Sequence, residues 1–332
     1  MLAYFDIENI SSFAESSAKA QFADCNRMLR GHFDLHFNFT KEQLQEEAKK
    51  NPAILSWITT MTQGVKGTIS YLNGEPSPPR PLKSNTHKSF NREQLSAVYL
   101  INDPRIATMK ANGCVLYGGV GEEVEVLSSL FKDEDYQFQK SLEIRRMTGW
   151  DNLDSYMMPT TDIVIVDQYC LSDDTIYEYN IYRLIETLCQ QIQNASVNII
   201  IFTLPESHNR TNNTDFVPAW NDIRSAIKKK IKAVTGQDPK VTFVLSRTLE
   251  EHDRTVFTNY QYFVSGDTIN LFDSKWNVIS KGRHFGIYSL AHQDHLQAMK
   301  SFLDDMQKAI DKTKRLNPDS IKFDKESLFL NF

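Results

Sequence analysis

"DIVIVDQY", residues 162–169, is a run of four β-branched apolar residues bounded by aspartates. A strand buried on both faces reads this way, without polar alternation, because helices cover it above and below. Three further runs share the character: "VNIIIFTL" (197–204), "KVTFVLS" (240–246) and "RTVFTNYQYFVSG" (254–266). The first two runs flank a segment in which Ile181, Leu184, Ile185 and Leu188 recur at helical spacing. Between the next two, Trp220, Ile223, Ile227 and Ile231 form a similar stripe. Residues 289–316 predict a long amphipathic helix. Strand and helix alternate, which predicts an α/β unit over 160–332: a mixed or parallel sheet with helices on both faces.

The first part of the chain reads similarly. "LAYFDIEN" predicts a strand, 11–31 a helix, "FDLHFNF" a strand and 41–62 a helix. "SAVYLIND" and "GCVLYGG" predict two more strands, with "EEVEVLSSLF" as a helix behind them. These give a second α/β unit over 1–150, interrupted by a Pro/Ser/Asn-rich loop at 73–91. The change of domain is expected near 147–161.

The 332 residues carry a net charge of −5 and ample aromatic content for a core, which excludes a disordered chain and a uniformly basic one. Cys25, Cys114, Cys170 and Cys189 lie far apart, forming neither a disulfide framework nor a zinc module. No secretory signal opens the sequence and no run reaches the length of a membrane span. A cytoplasmic protein is expected, in which the sequons at Asn38, Asn194, Asn209 and Asn212 are incidental.

"EHDRTVFTNYQYFVSGDT" (251–268) carries the main chemical candidate. His252 and Arg254 alternate onto one face of an extended strand; four residues then separate Arg254 from Asn259, and six separate Asn259 from Gly266. This spacing resembles the phospholipase D signature, His-x-Lys, four residues, Asp, six residues, Gly-Ser. Arg254 stands for the lysine, Asn259 for the aspartate and Asp267 for the serine. With the element order around it, the stretch 160–292 resembles the degenerate single-copy domain at the C-terminus of eukaryotic MIT-domain proteins and in bacterial defence or mobile-element proteins. The resemblance implies a phosphate site in which His252 attacks phosphorus and Arg254 binds its oxygens, a second copy coming from a dimer partner. A neutral Asn259 removes a carboxylate's support of the histidine, so anion binding without turnover is the expectation. "HNRTNNTD" repeats the spacing at His208, Arg210 and Asp215, in a polar loop with no following glycine.

Two other features bear on function. Asp6, ending the first strand, and Asp103, ending a later one, faintly resemble the metal-binding carboxylates of PIN/NYN-like nucleases, with Glu46, Glu47, Glu122 and Asp133 as further candidates. That resemblance implies Mg²⁺ or Mn²⁺. Turn formation and helix capping account for the same aspartates. Arg224, Lys228, Lys229, Lys230 and Lys232 crowd one predicted helix, either as a solvated face or as a nucleic-acid or phosphate surface. The expected function is a phosphate- or nucleic-acid-binding adaptor with protein partners, without a resident cofactor. A phosphodiesterase or nuclease, dimeric or metal-dependent, is the alternative, and an anionic-lipid binder the second.

Overall fold

A computed structural model describes residues 1–63, 68–72, 90–104, 106–130, 138–209, 213–247 and 254–332. The chain is α/β and forms two compact units. Met1–Ala111, Val115–Lys132 and Ser289–Leu296 make the first, and Asn112–Cys114, Asp133–Tyr288 and Gln297–Phe332 the second.

The first unit holds a five-stranded, wholly parallel sheet of β1 (Leu2–Phe5), β2 (Asp34–Phe37), β3 (Ile69–Ser70), β4 (Val98–Leu100) and β5 (Leu116–Gly118). Its order is β3-β2-β1-β4-β5, so the chain reverses its direction of travel across the sheet beside β1. The register sets His36, Tyr4, Tyr99 and Tyr117 in one row across one face, with successive ring centroids 5.2, 4.9 and 4.9 Å apart. Phe5 and Phe37 point to the other face. There Phe5 meets Phe13 of α1 (Ile7–Ser16) and Trp57 of α4 (Ala53–Thr62), and Phe13 meets Phe22 of α2 (Ala20–His32). α3 (Lys41–Lys50) opens on a capping box between Thr40 and Gln43. Three short helices, α5 (Arg92–Leu95), α6 (Ile106–Asn112) and α7 (Glu123–Ser128), complete the count of described helices here.

The helices predicted over 11–31 and 41–62 are each two helices. The second breaks at Asn51–Pro52, where proline has no N–H to continue the ladder. The first breaks across Ser17–Lys19, with the Ser17 hydroxyl bonded back to the Ala14 carbonyl. Of the predicted 73–91 loop, residues 73–89 lie outside the described residues.

In the second unit, β7 (Asp162–Val166), β8 (Asn198–Thr203) and β11 (Lys240–Leu245) run parallel. α8 (Ile181–Leu188) and α9 (Trp220–Thr235) are the connections, with a small hairpin of β9 (Ser207–Asn209) and β10 (Thr214–Phe216) before α9. The strand predicted over 254–266 is a hairpin. β12 (Arg254–Phe257) runs antiparallel to β7, and β13 (Gln261–Ser265) antiparallel to β12. β14 (His284–Ser289) pairs with β6 (Gln139–Glu143), and β15 (Ile321–Phe323) edges β11, giving an eight-stranded mixed sheet.

The register shows which face each helix covers. Phe243 shares a face with Ile201, Ile165 and Val256, while Phe257 lies on the opposite face with Val164 and Ile200. Trp220 of α9 packs on Phe243, and Phe302 of α10 (Gln293–Leu316) packs on Phe257. Helices therefore cover both faces, and the apolar strands between them form the core.

Candidate functional site

The two ends of β12 do different things. Arg254 lies at the carboxyl-terminal edge of β7, since Thr255 pairs with Val166; Phe257 pairs with Val164, so the turn that follows lies at the amino-terminal edge. Asn259 sits in that turn, about 16 Å from Arg254 at strand rise. The structure does not bring these two candidates together.

Asn259 is fully buried. Its carbonyl oxygen accepts from the Thr161 N–H at 2.9 Å and lies 3.0 and 3.1 Å from the Thr160 and Thr161 hydroxyls, while its amide donates to the Cys114 carbonyl at 3.3 Å. Asp162 completes this edge by accepting from Ser327 and the Leu328 N–H. Burial raises the Asp162 pKa against those donors. Asn259 thus ties the hairpin turn to the start of β7. His252 lies outside the described residues.

Arg254 lines a cavity of about 440 Å³. The walls come from the chain after β7 (Tyr169, Asp173), the end of β13 (Asp267) and the following loop (Asn270, Lys281). The carboxyl edge of parallel strands is the usual place for a ligand, because successive loops diverge there. The Arg254 side chain is only 18% exposed, and its Nε is 4.0 Å from Asp167 Oδ1. The guanidinium also lies 5.5 Å from the centre of the Tyr169 ring. Among the described residues no acceptor lies within hydrogen-bond distance of it.

Asp167 is turned toward other donors. Its oxygens take the Tyr169 N–H at 2.8 Å, the Thr268 hydroxyl at 2.8 Å and the Ile269 N–H at 2.7 Å. Burial raises its pKa, with these donors and Arg254 opposing. At Asp267 partial burial acts upward, but the Lys281 and Thr268 N–H groups, the Ser280 hydroxyl and the Arg254 charge outweigh it and hold the carboxyl below its ordinary range. Asn270, also in the wall, donates to the Tyr169 carbonyl at 2.9 Å, while its buried Oδ1 has no partner among the described residues. Asp167, Tyr169 and Asn270 escaped the sequence reading. The signal for the first two was present: they follow a strand of four consecutive β-branched apolar residues, at its carboxyl end.

The basic helix is largely neutralised. Arg224 and Lys228 reach Asp324 at 2.7 and 3.2 Å, Lys230 reaches Glu178 at 2.5 Å, and Lys232 reaches Asp238 at 2.9 Å. Lys229 is exposed with no ion pair among the described residues. Arg224 also lies over the Phe323 ring, so this face of α9 holds β15 and the residue after it.

In the first unit Asp6 ends β1 beside the sheet's point of reversal. Its Oδ1 accepts from the Asn38 amide at 3.0 Å and its Oδ2 from the Asn102 N–H at 2.5 Å. Burial raises the Asp6 pKa; these two donors oppose it, and the charges of Glu8 and Asp103 add to it. Asp103 is therefore within electrostatic reach of Asp6. Glu46, Glu47 and Glu122 pair instead with Lys49, Lys50 and Lys110, and Asp133 lies outside the described residues. Among the described residues no group of three His, Cys, Asp or Glu side chains is arranged to hold a metal ion. Each Asp6 oxygen accepts one N–H group, and the Asp6 carboxylate thereby ties β1 to the chain after β2 and after β4. His208 pairs with Asp215 at 2.7 Å in the small hairpin, and Arg210 lies outside the described residues. Among the described residues no helix is long and apolar enough to cross a membrane.

No family model matches the chain, and no curated protein matches it. A solved structure of TrmBL2, an archaeal chromatin protein that binds DNA, aligns at 6% identity with a TM-score of 0.27, covering 56% of this chain and 58% of that one. A likeness of that size carries no argument about fold or function.

Proposed function

We propose that the protein is a non-catalytic accessory or adaptor protein that binds a phosphate-bearing partner, nucleic acid foremost, through the Arg254 cavity. The observation that carries this reading is a guanidinium four-fifths buried in a cavity wall with no hydrogen-bond acceptor among the described residues. At 4.0 Å the Asp167 carboxylate balances the charge without satisfying the N–H donors, and a bidentate oxyanion would satisfy them. Asn259 supports the expectation of binding without turnover, its polar atoms being spent on the fold at the far edge of the sheet. The walls also carry Asp173, Asp267 and Lys281, so the cavity is near neutral rather than strongly positive. A phosphodiester, with a single negative charge, suits it better than a dianionic monoester.

The test is binding and cleavage of labelled single- and double-stranded DNA and RNA by wild type, Arg254→Ala and His252→Ala, in EDTA and in Mn²⁺. Binding without cleavage in either condition, weakened at least tenfold by Arg254→Ala at about 2 kcal/mol for a charged hydrogen-bonded pair, is the expected result. Metal-independent cleavage lost in His252→Ala would overturn it in favour of a phosphodiesterase.

A further inference from the structure

We infer that the Arg254 cavity accepts a whole nucleotide unit, its phosphodiester on Arg254 and its base between the Tyr169 ring and the Asn270 amide. The inference rests on the anion-binding reading of the same cavity and names what accompanies the anion.

Size is the first ground. About 440 Å³ lies in the range that holds small organic ligands, and a tetrahedral oxyanion on Arg254 leaves most of it empty. The character of the walls is the second. Tyr169 is 36% exposed and Ile279 48% exposed, so this polar cavity has an aromatic and an aliphatic surface open to a flat apolar body. Arg254 already lies against the Tyr169 ring, which sets the anion site and the stacking surface side by side, as phosphate and base are in a nucleotide. Asn270 is the third ground. It is 4% exposed, its amide hydrogens hold the Tyr169 carbonyl, and its Oδ1 lacks a donor among the described residues. That oxygen is buried, so a base N–H meets it by a turn of the amide toward the cavity, whereas a simple phosphate, having only acceptors once ionised, offers it nothing.

A free cyclic nucleotide and a nucleic-acid strand present the same chemistry, and the probes separate them. Fluorescence polarisation on the full chain would compare a labelled single-stranded DNA hexamer with an abasic hexamer of equal charge, with 3′,5′-cyclic AMP as competitor. The expected result is binding of the ordinary hexamer about tenfold tighter than of the abasic one, as a stacked base supplies. Tyr169→Ala should erase that preference and Asn270→Ala should reduce it. Tyr169 is exposed enough for its variant to fold even where the Asn270 variant does not. Displacement by cyclic AMP below the hexamer's own dissociation constant would assign the site to free nucleotides, and its failure to compete there would assign it to strands. Equal affinity for the two hexamers, both weakened by Arg254→Ala, overturns the nucleotide inference and leaves the anion site standing. Binding of neither hexamer in an Arg254-dependent manner overturns both.

Discussion

Replacing Asn259 tests the division of labour between the two ends of β12. In Asn259→Ala the Thr161 N–H and the Cys114 carbonyl lose their partner in a fully buried place, and the Thr161 hydroxyl loses one acceptor. The stranded Thr161 N–H costs about 1–3 kcal/mol, and each lost bond to the Cys114 carbonyl and the two threonine hydroxyls about 0.5–1.5 kcal/mol, so about 4 kcal/mol is expected. For a unit of this size that lowers the melting temperature by about 8–16 °C. Urea denaturation followed by far-UV circular dichroism reads the change. Binding of a labelled oligonucleotide, measured well below the transition, should stay within about twofold, because the perturbed edge lies about 16 Å from Arg254. Asn259→Asp sharpens the test. The introduced carboxyl keeps an acceptor for Thr161 but faces the Cys114 carbonyl with no proton to donate when ionised. Burial raises its folded-state pKa above the unfolded value of about 3.9. The folded state then holds the proton more tightly, so this variant's stability falls as pH rises past 4 and is lower at pH 8 than at pH 5, relative to wild type. A cost below about 1 kcal/mol for Asn259→Ala, or an equal pH response in the two proteins, would refute the structural role.

Other expectations follow from the ion pairs and the thiols. Asp324→Asn should cost about 1.5–3 kcal/mol in urea, because its carboxylate holds Arg224, Lys228 and the Val241 N–H. Partial burial would raise the Asp324 pKa, but those three contacts outweigh it and depress the value. Its contribution is therefore complete above the ordinary carboxylate range and lost as pH falls below about 4; wild type and variant should converge there, and a constant gap down to pH 2 would count against the pairing. Lys229→Ala should leave nucleic-acid affinity within about twofold, and a fall of about one in the salt slope would move the interface onto α9. Burial raises the pKa of Cys25, Cys114, Cys170 and Cys189, the second to about 12, so a disulfide reagent at pH 8 should label none of them until urea unfolds the chain. Rapid labelling of the native protein would show that a thiol is open to solvent.

The apolar strands were legible because two-sided burial leaves a simple mark: Ile163–Val166 and Ile199–Phe202 are uninterrupted, Val241–Leu245 is broken only by Thr242, and the three match β7, β8 and β11 closely. The hairpin of β12 and β13 was not. Val256, Phe257, Tyr260 and Phe263 stay apolar across the turn, and Thr258–Asn259 offers neither glycine nor proline to mark it. The same turn made Asn259 look like a worn catalytic aspartate when its neighbours show a buried polar tie. β6 was invisible for another reason. "QKSLE" carries no apolar alternation, and its partner β14 lies some 140 residues further on. Spacing singled out Arg254, which lines the cavity from a strand. Asn270 became visible only through a backbone carbonyl at Tyr169, about a hundred residues away in sequence.

The composition of the first unit sets an order of events during synthesis. Residues Ser289–Leu296 belong to it, and there the His292 ring lies 4.7 Å from the His32 ring while the Gln293 N–H approaches the His32 imidazole at 3.5 Å. At ribosomal speeds of about 5–20 residues per second, residue 296 arrives about 15–60 s after the first. The first unit is thus completed late, and the end of α2 at His32 must wait, without its neighbour, for residues 292 and 293. A host that translates slowly, or a shortened chain ending before 289, would expose that waiting state to chaperones and proteases for longer.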